Sequence, residues 1–328
     1  MRIVLKNHAS IAAFSAVGGD LESKGPLGEK LDYVDTKNRF GKRTWEQAEA
    51  KMQDIALSLA MKKANISDRD VDYLFAGDLI NQCTSAGIGL VDYQIPFVGI
   101  YGACSTAALG LGLSAIFLEM EQVKRCAAVT SSHFCSAERQ FRFPLEYGSL
   151  RTPTSQHTVT GSAAFILDKS ENAPRITEVF FGQSIDSGII DANNMGAAMA
   201  PAAADTLAGY FESSNLSPNE FDLIVSGDLG YEGYTILREI MKNKGYPLSE
   251  NYDDCGLIVY DRIKQKMECG GSGCACSALV LATKILPEMK SGKLKNVLFM
   301  GTGALLSQAS VQQGQSIPAV AHLIRIEI

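Results

Sequence analysis

The chain has 328 residues, 46% hydrophobic and 20% charged, with 30 Gly against 10 Pro and a formal net charge of −6. That profile suits a folded α/β protein with a sizeable core and excludes a disordered or fibrous chain. The acidic balance, with Lys and Arg gathered into no long stripe, excludes a surface that tracks nucleic-acid phosphates.

No Pro- or Ser-rich linker interrupts a length above the usual single-domain size, so one large domain or two fused halves are expected. The opening MRIVLKNHASIAAFSAVGGD has an apolar run broken early by Lys6, Asn7 and His8, with no cleavage-site pattern after it. It reads as a first strand and not as a secretory signal. TWEQAEAKMQDIALSLAMKKA begins with Thr44 and Gln47 at capping-box spacing, and Trp45, Ala48, Met52, Ile55 and Leu59 recur at helical intervals. An amphipathic helix follows from that pattern. Strands are expected at 73–76, before the turn residues Gly77 and Asp78, at 97–100, and at 126–132.

Between the last two strands lies GACSTAALGLGLSAIFLEM, where Cys104 and Ser105 stand just before an Ala- and Leu-rich segment that reads as a buried helix. The uncharged run 102–118 is shorter than the ~20 apolar residues of a spanning helix and carries Ser and Thr, so no transmembrane helix is expected. TVTGSAAFIL and the C-terminal AVAHLIRIEI read as further strands, with His322 a structural histidine among apolar neighbours. The eight cysteines show no secretory context, and Cys274 and Cys276 are too close for a C-x₂₋₄-C zinc pair. Reduced, mostly buried thiols are expected, without disulfides or metal. GGSGCACS lacks the Lys of a P-loop and the third Gly of a dinucleotide fingerprint, and GTGALLS fails the same test, so no nucleotide cofactor is expected.

The most informative pattern is internal. DYLFAGDL at 72–79 returns as DLIVSGDL at 222–229. The first is followed by GACSTAALGL, a helical segment and KRCAAVTSS; the second by GSGCACSALVLATKILPEM and LKNVLFMGTG. Strand, Gly-rich turn into an apolar helix, strand: the order occurs twice, which predicts duplicated, βαβ-rich halves with mostly parallel sheets covered by helices. The expected halves are 1–170 and 171–328, each burying an apolar helix against its twin.

Two fused halves, a Cys at the start of the buried helix of the first and a Gly-rich helix start in the second resemble the thiolase-like superfamily of thiolases and ketoacyl synthases. AGDLINQ, GACSTA, TSSHFCSAERQFRFPLEYG, MGAAMAPAAADT, DCG, GGSGCACSA and GTGALLS look more closely like the stage V sporulation protein AD family of spore-forming bacteria, along nearly the whole chain. The resemblance implies a layered α/β/α/β/α fold, binding of dipicolinic acid (pyridine-2,6-dicarboxylate), alone or as its calcium chelate, and a role in moving it into the developing spore. It also implies partners among the stage V sporulation protein A channel proteins at the spore inner membrane, peripheral attachment through them, and a homodimer.

A condensing enzyme of this superfamily needs a Cys at a helix start, where dipole and N–H groups favour thiolate. Cys104 meets that. The resemblance also asks for a His after the strand ending IVSGDLG and an Asn or His opening GGSGCACS; this chain offers Asp228 and Ser272. None of His8, His133, His157 and His322 falls at either place. The expectation is therefore no catalysis, with an acyl-transferring thiolase or ketoacyl synthase using Cys104 as the alternative. A cavity where two helix starts meet, around Cys104 and Ser272, suits an anion. The segment SSHFCSAERQFRFPLEYGSLRTPTSQHT adds Ser132, His133, Arg139, Arg142 and His157 with several Phe, a composition that could hold a flat aromatic dicarboxylate. Two alternatives stay open: Arg139 and Arg142 pair with Glu138 and Glu146, and the histidines are structural.

Overall fold

The computed structural model describes residues 1–140, 151–171 and 174–328. Its strands are β1 (Arg2–Gly19), β2 (Tyr33–Asp35), β3 (Tyr73–Gly77), β4 (Phe97–Gly99), β5 (Arg125–Ser132), β6 (His157–Thr158) and β7 (Gly161–Asp168), then β8 (Arg175–Phe181), β9 (Leu223–Ser226), β10 (Tyr252–Asp254), β11 (Gly271–Ser272), β12 (Asn296–Ala304) and β13 (Ala319–Glu327). All but β6 and β11 join one sheet in the order β10-β9-β12-β13-β8-β1-β7-β5-β3-β4, with β2 beside β1.

Each half of that order repeats the other. β3 runs parallel to β4 and β5, β5 antiparallel to β7, and β7 antiparallel to β1. In the second half β9 runs parallel to β10 and β12, β12 antiparallel to β13, and β13 antiparallel to β8. The duplication is thus a repeat of pairing as well as of sequence. The expectation of mostly parallel sheets needs correction, because two strands of each half run against their neighbours. Between β12 and β13 the connection 305–318 holds only the five-residue helix Gln308–Gln312, and the two strands pair antiparallel.

The halves share a sheet because β1 is 18 residues long; Arg2–Ser10 pairs with β8 and Ser10–Gly18 with β7. The sheet then wraps around a central helical layer. The inner helix Thr106–Phe117 packs on β3 and β5 on one side and on β12 and β13 on the other. The helical run 274–290 packs on β5, β7 and β1 and touches that inner helix. Outside, Trp45–Ala64 covers β1, β5 and β7, and Met195–Ser214 covers β12 and β13. The result is the expected α/β/α/β/α stack. Its central layer is held by fully buried Phe75, Leu111, Phe165 and Phe299, each worth ~1.5–3 kcal/mol of apolar burial.

The Trp45–Ala64 helix starts where its sequence says, with Thr44 Oγ1 accepting from Gln47 N at 3.2 Å. Its buried stripe is rotated from the expected one: Ala48, Met52, Ala56 and Ala60 are covered, together with Glu49 and Gln53, whereas Trp45, Ile55 and Leu59 are less covered. Polar partners make this possible. Ser131 Oγ donates to Glu49 Oε1 at 2.9 Å and receives Gln53 Nε2 at 2.7 Å, and Ser136 Oγ also bonds Glu49.

The repeat extends into the connections. Both outer helices are 20 residues long and end on a left-handed Asn, Asn65 at φ 54° and Asn215 at φ 57°, followed by capping boxes at Ser67 with Asp70 and Ser217 with Glu220. Asp72 then receives Lys124 N and Arg125 N at 2.7 and 2.9 Å, and Asp222 receives Lys295 N and Asn296 N at 2.7 and 3.0 Å. Because each carboxylate aligns the entry of two parallel strands, Asp72→Ala and Asp222→Ala should each cost about 1–2 kcal/mol in urea unfolding. A change too small to resolve in both would show that water replaces these bonds without loss. All eight cysteines are free thiols, and among the described residues no helix is long and apolar enough to cross a membrane.

Candidate functional site

β4 leads into Gly102, Ala103, Cys104 and Ser105, and Thr106 opens the inner helix. Ala103 sits at φ 48°, a left-handed conformation unusual for a residue with a Cβ. Short side chains hold it there: Ser105 Oγ donates to Gly102 O at 2.6 Å, Thr106 Oγ1 to Ala103 O at 2.6 Å, and Cys274 Sγ to the same Ala103 O at 3.0 Å. Cys104 is thereby fixed at the helix start.

The second half delivers Asp228 to that thiol. Asp228 follows β9, and its carboxyl accepts from Gly273 N at 2.9 Å and Thr302 Oγ1 at 2.8 Å, while its own N–H donates back to Thr302 Oγ1 at 3.0 Å. Gln156 Nε2 holds its carbonyl at 2.6 Å and that of Gly271 at 2.9 Å. The Cys104 side chain lies beside that carboxyl. Burial pushes the Asp228 carboxyl up to about 8, against the opposing pull of the neighbouring Cys104 thiol and of its bonds to Gly273 and Thr302. Burial, then repulsion from Asp228, pushes the Cys104 thiol well above its ordinary value, so the effect expected of the helix start is outweighed.

In front of the pair opens a narrow crevice with a cavity volume of about 30 Å³, inside about 390 Å³ of empty space that includes the open solvent at its mouth. Cys104, Ala103, Tyr101, Ser272 and Thr158 line it with Leu79, Ala137, Met195, Ala304 and Leu306. No Lys, Arg or His is among these residues. Thr158 Oγ1 is taken by Glu138 at 3.0 Å, whereas the hydroxyls of Tyr101 and Ser272 have no partner among the described residues. Burial above all, with the facing thiols adding to it, pushes the Tyr101 phenol up, so it remains a donor.

The structure brings together three of the expected residues, Cys104, Ser272 and Asp228, and places most of the others elsewhere. Ser132 lies one layer behind, with its Oγ donating to Val159 O at 2.7 Å and accepting Ala275 N at 3.2 Å. His133 does not line the crevice: its Nε2 bonds Asn38 O at 2.8 Å, its Nδ1 accepts Cys135 N at 3.1 Å, and burial pushes it down, so it is a neutral structural cap. Arg139 pairs with Glu46 and is 43% exposed. His157 stacks on Phe134 at 4.5 Å and meets Tyr260 edge-on at 5.7 Å, while its strand neighbour Thr158 takes the crevice face. Arg142 lies outside the described residues. His322, in β13, has a ring pushed down to about 4 by burial.

Thr302, Gln156 and Tyr101 escaped the sequence reading. Thr302 sits inside GTG, where two glycines flank a hydroxyl that can be approached from both sides; that was the available signal. Gln156 and Tyr101 offered none beyond their neighbourhood to His157 and Cys104.

The architecture is a thiolase-like fold. Xanthomonas campestris OleA, as a single-residue variant, superposes with a TM-score of 0.63 at 16% identity, covering 99% of this chain and 100% of that one. The 3-oxoacyl-[acyl-carrier-protein] synthase III of Aquifex aeolicus gives 0.59 at 13% identity, over 97% and 99% of the two chains. Within that fold the chain belongs to the stage V sporulation protein AD family, whose model matches residues 1–327. The Bacillus subtilis stage V sporulation protein AD is 40% identical over 324 residues, covering 99% of this chain and 94% of that protein.

Proposed function

We propose that the protein binds dipicolinic acid without transforming it, for delivery into the developing spore. The observation that carries this reading is that Asp228 stands beside Cys104 at the place where a condensing enzyme would need an imidazole. A thiol attacks as thiolate, and here burial and the neighbouring carboxyl both oppose ionisation. At neutral pH Asp228 is itself protonated and has no base character to lend. Without an imidazole and an Asn or His donor at the Ser272 place, a developing oxyanion loses ~3–4 kcal/mol of stabilisation per donor.

The crevice suits a flat acid through neutral donors and apolar walls rather than through cations. The Tyr101 and Ser272 hydroxyls supply the donors, at ~0.5–1.5 kcal/mol net for each hydrogen bond made, and Leu79, Met195 and Leu306 the walls. The absence of a cation among the described lining residues favours the calcium chelate, whose charges cancel, over the free dianion. Family membership supports the sporulation setting, and in it the chain would work with the stage V sporulation protein A channel proteins, as a homodimer held peripherally at the spore inner membrane.

Calorimetric titration with dipicolinate and with its calcium chelate should give saturable heat, with the higher affinity for the chelate. Mass spectrometry after mixing with acyl-CoA should find no adduct. A folded sample with no saturable heat for either ligand removes the proposal, and an acyl adduct lost in Cys104→Ala puts an acyl-transferring enzyme in its place.

A further inference from the structure

We infer that residues 305–316 form a hinged lid over the crevice and that Leu306, the side chain this lid puts into it, is the gate that decides which ligands reach Cys104. For its natural ligand this rests on the dipicolinate reading; the gate itself can be tested on the Cys104 thiol alone.

The closed crevice is too small for its proposed occupant. A cavity of about 30 Å³ has room for about two waters and for no ring-bearing acid, so part of its wall must yield. Most of that wall is fixed. Ala103 and Cys104 stand in the turn held at the inner helix start, Thr158, Ser272 and Ala304 on strands, and Ala137 and Met195 on helices. The stretch bearing Leu79 is tied down by the Asp78 carboxyl, which accepts from Ile80 N and Ala86 N, each at 2.8 Å. The stretch bearing Tyr101 is held through Ile100, whose N–H donates to Ala76 O at 2.9 Å and whose carbonyl accepts from Cys83 Sγ at 3.2 Å.

Leu306 is held differently. It is half-buried, and no residue from 305 to 316 is fully covered, those of the short helix Gln308–Gln312 included. The hydrogen bonds described for residues 307–315 all close within that stretch. Ser307 N donates to Ser310 Oγ at 2.9 Å and Ser310 N to Ser307 Oγ at 3.2 Å, Val311 N reaches Ser307 O at 3.1 Å, and Gln315 N reaches Ser310 O at 3.0 Å. The ties to the rest of the protein lie at the root: Leu305 N to Pro318 O at 2.7 Å, Ile317 N to Ile189 O at 2.7 Å, and Ser316 Oγ to Asp186 Oδ2 at 2.6 Å. A compact loop whose ends meet and whose bonds are its own can turn as one unit on the backbone of Leu306 and Gln315 without breaking any of them. That turn carries the Leu306 side chain out of the crevice, and because it is already half-exposed, little new apolar surface meets water.

Alkylation of Cys104 in the intact chain, read by peptide mass spectrometry with Cys135 as internal reference, tests the gate without dipicolinate. Cys135 is partly exposed and does not line the crevice. N-ethylmaleimide, a ring too large for the closed cavity, should reach Cys104 at a rate set by the open fraction. With that fraction in the ~0.1–10% range of an accessible minor state, Leu306→Ala should speed Cys104 modification at least ~10-fold. Leu306→Phe, a larger plug, should slow it, and neither variant should change Cys135. Equal Cys104 rates in wild type and both variants overturn the gate, as do rates at Cys104 and Cys135 that rise together, since those report unfolding. In stopped-flow mixing with dipicolinate, the association rate should rise in Leu306→Ala and fall in Leu306→Phe. Gated alkylation with no dipicolinate binding in any variant supports the gate and removes the dipicolinate reading. Should Leu306→Ala fail to fold, the slowing in Leu306→Phe decides alone.

Discussion

Raised from pH 5 to pH 9, the protein should lose stability, with its thermal midpoint falling by several degrees. The cause is a set of carboxyls enclosed without a partner cation among the described residues. Burial pushes Asp228 from 3.8 up to about 8 and Asp254 and Asp78 to about 6; it also raises Glu22, and Glu49, where repulsion from Asp78 adds to burial. A carboxyl whose value is raised by folding stays protonated in the folded chain after the unfolded chain has released its proton. Its contribution is fully present below the unfolded value, declines as pH rises, and is gone once the folded value is passed. Asp228 therefore removes stability between about pH 4 and 8, at no more than about 1.4 kcal/mol per pH unit, and the same holds for the others over narrower windows. Asp228→Asn should raise the midpoint at pH 9 relative to wild type and leave a shallower pH dependence. A midpoint at pH 9 equal to that at pH 5, or a wild-type slope in the variant, would contradict the enclosed-acid account.

The duplication was legible because it is written in residues with backbone duties. Asp72 and Asp222 each tie two parallel strands together, and Asp78 and Asp228 each receive backbone N–H groups at a strand end, so both copies survive as recognisable strings. The inner helix was legible from apolar content alone, since a helix covered on both sides tolerates no polar face. Strand direction was less so: β8 and β13 look in sequence like any half-buried strand, and antiparallel entry depends on what the connection can span.

At the site, sequence named the groups at the two helix starts, whereas the described His133, Arg139 and His157 lie away from them. His133 and Arg139 follow a strand end, where ligand residues often gather, but Asn38 and Glu46 come from an earlier loop and helix and claim both. Nothing in a linear reading shows such a claim. His157 failed by one residue of strand parity, its neighbour Thr158 taking the open face. Asp228 was legible as a missing imidazole. That it would stand beside the Cys104 thiol was not, because the meeting depends on β12 stacking against the inner helix.

That stacking leads to the sharpest mutational expectation. β12 presses its GTG segment against the Cys104 turn so closely that a Cβ on Gly303 would lie 2.3 Å from Gly102 O and 3.1 Å from Ser105 N, and one on Gly301 would lie 2.9 Å from Ser105 O. These obstacles are backbone atoms in the turn that already holds Ala103 at positive φ, so no flexible side-chain end can yield. Gly303→Ala should cost about 3 kcal/mol, at the upper end for overpacking, and move Cys104 enough to abolish ligand binding in the fraction that remains folded. Gly87→Ala is the matched control. Its added methyl meets nothing within 4 Å at an ordinary φ in the short helix Thr84–Gly89, so helix propensity alone should leave it neutral or more stable by up to ~1 kcal/mol. Urea unfolding of both variants beside dipicolinate calorimetry separates the effects. A Gly303→Ala protein as stable as wild type and still binding would mean that the two halves do not meet at Cys104 as closely as the crevice requires.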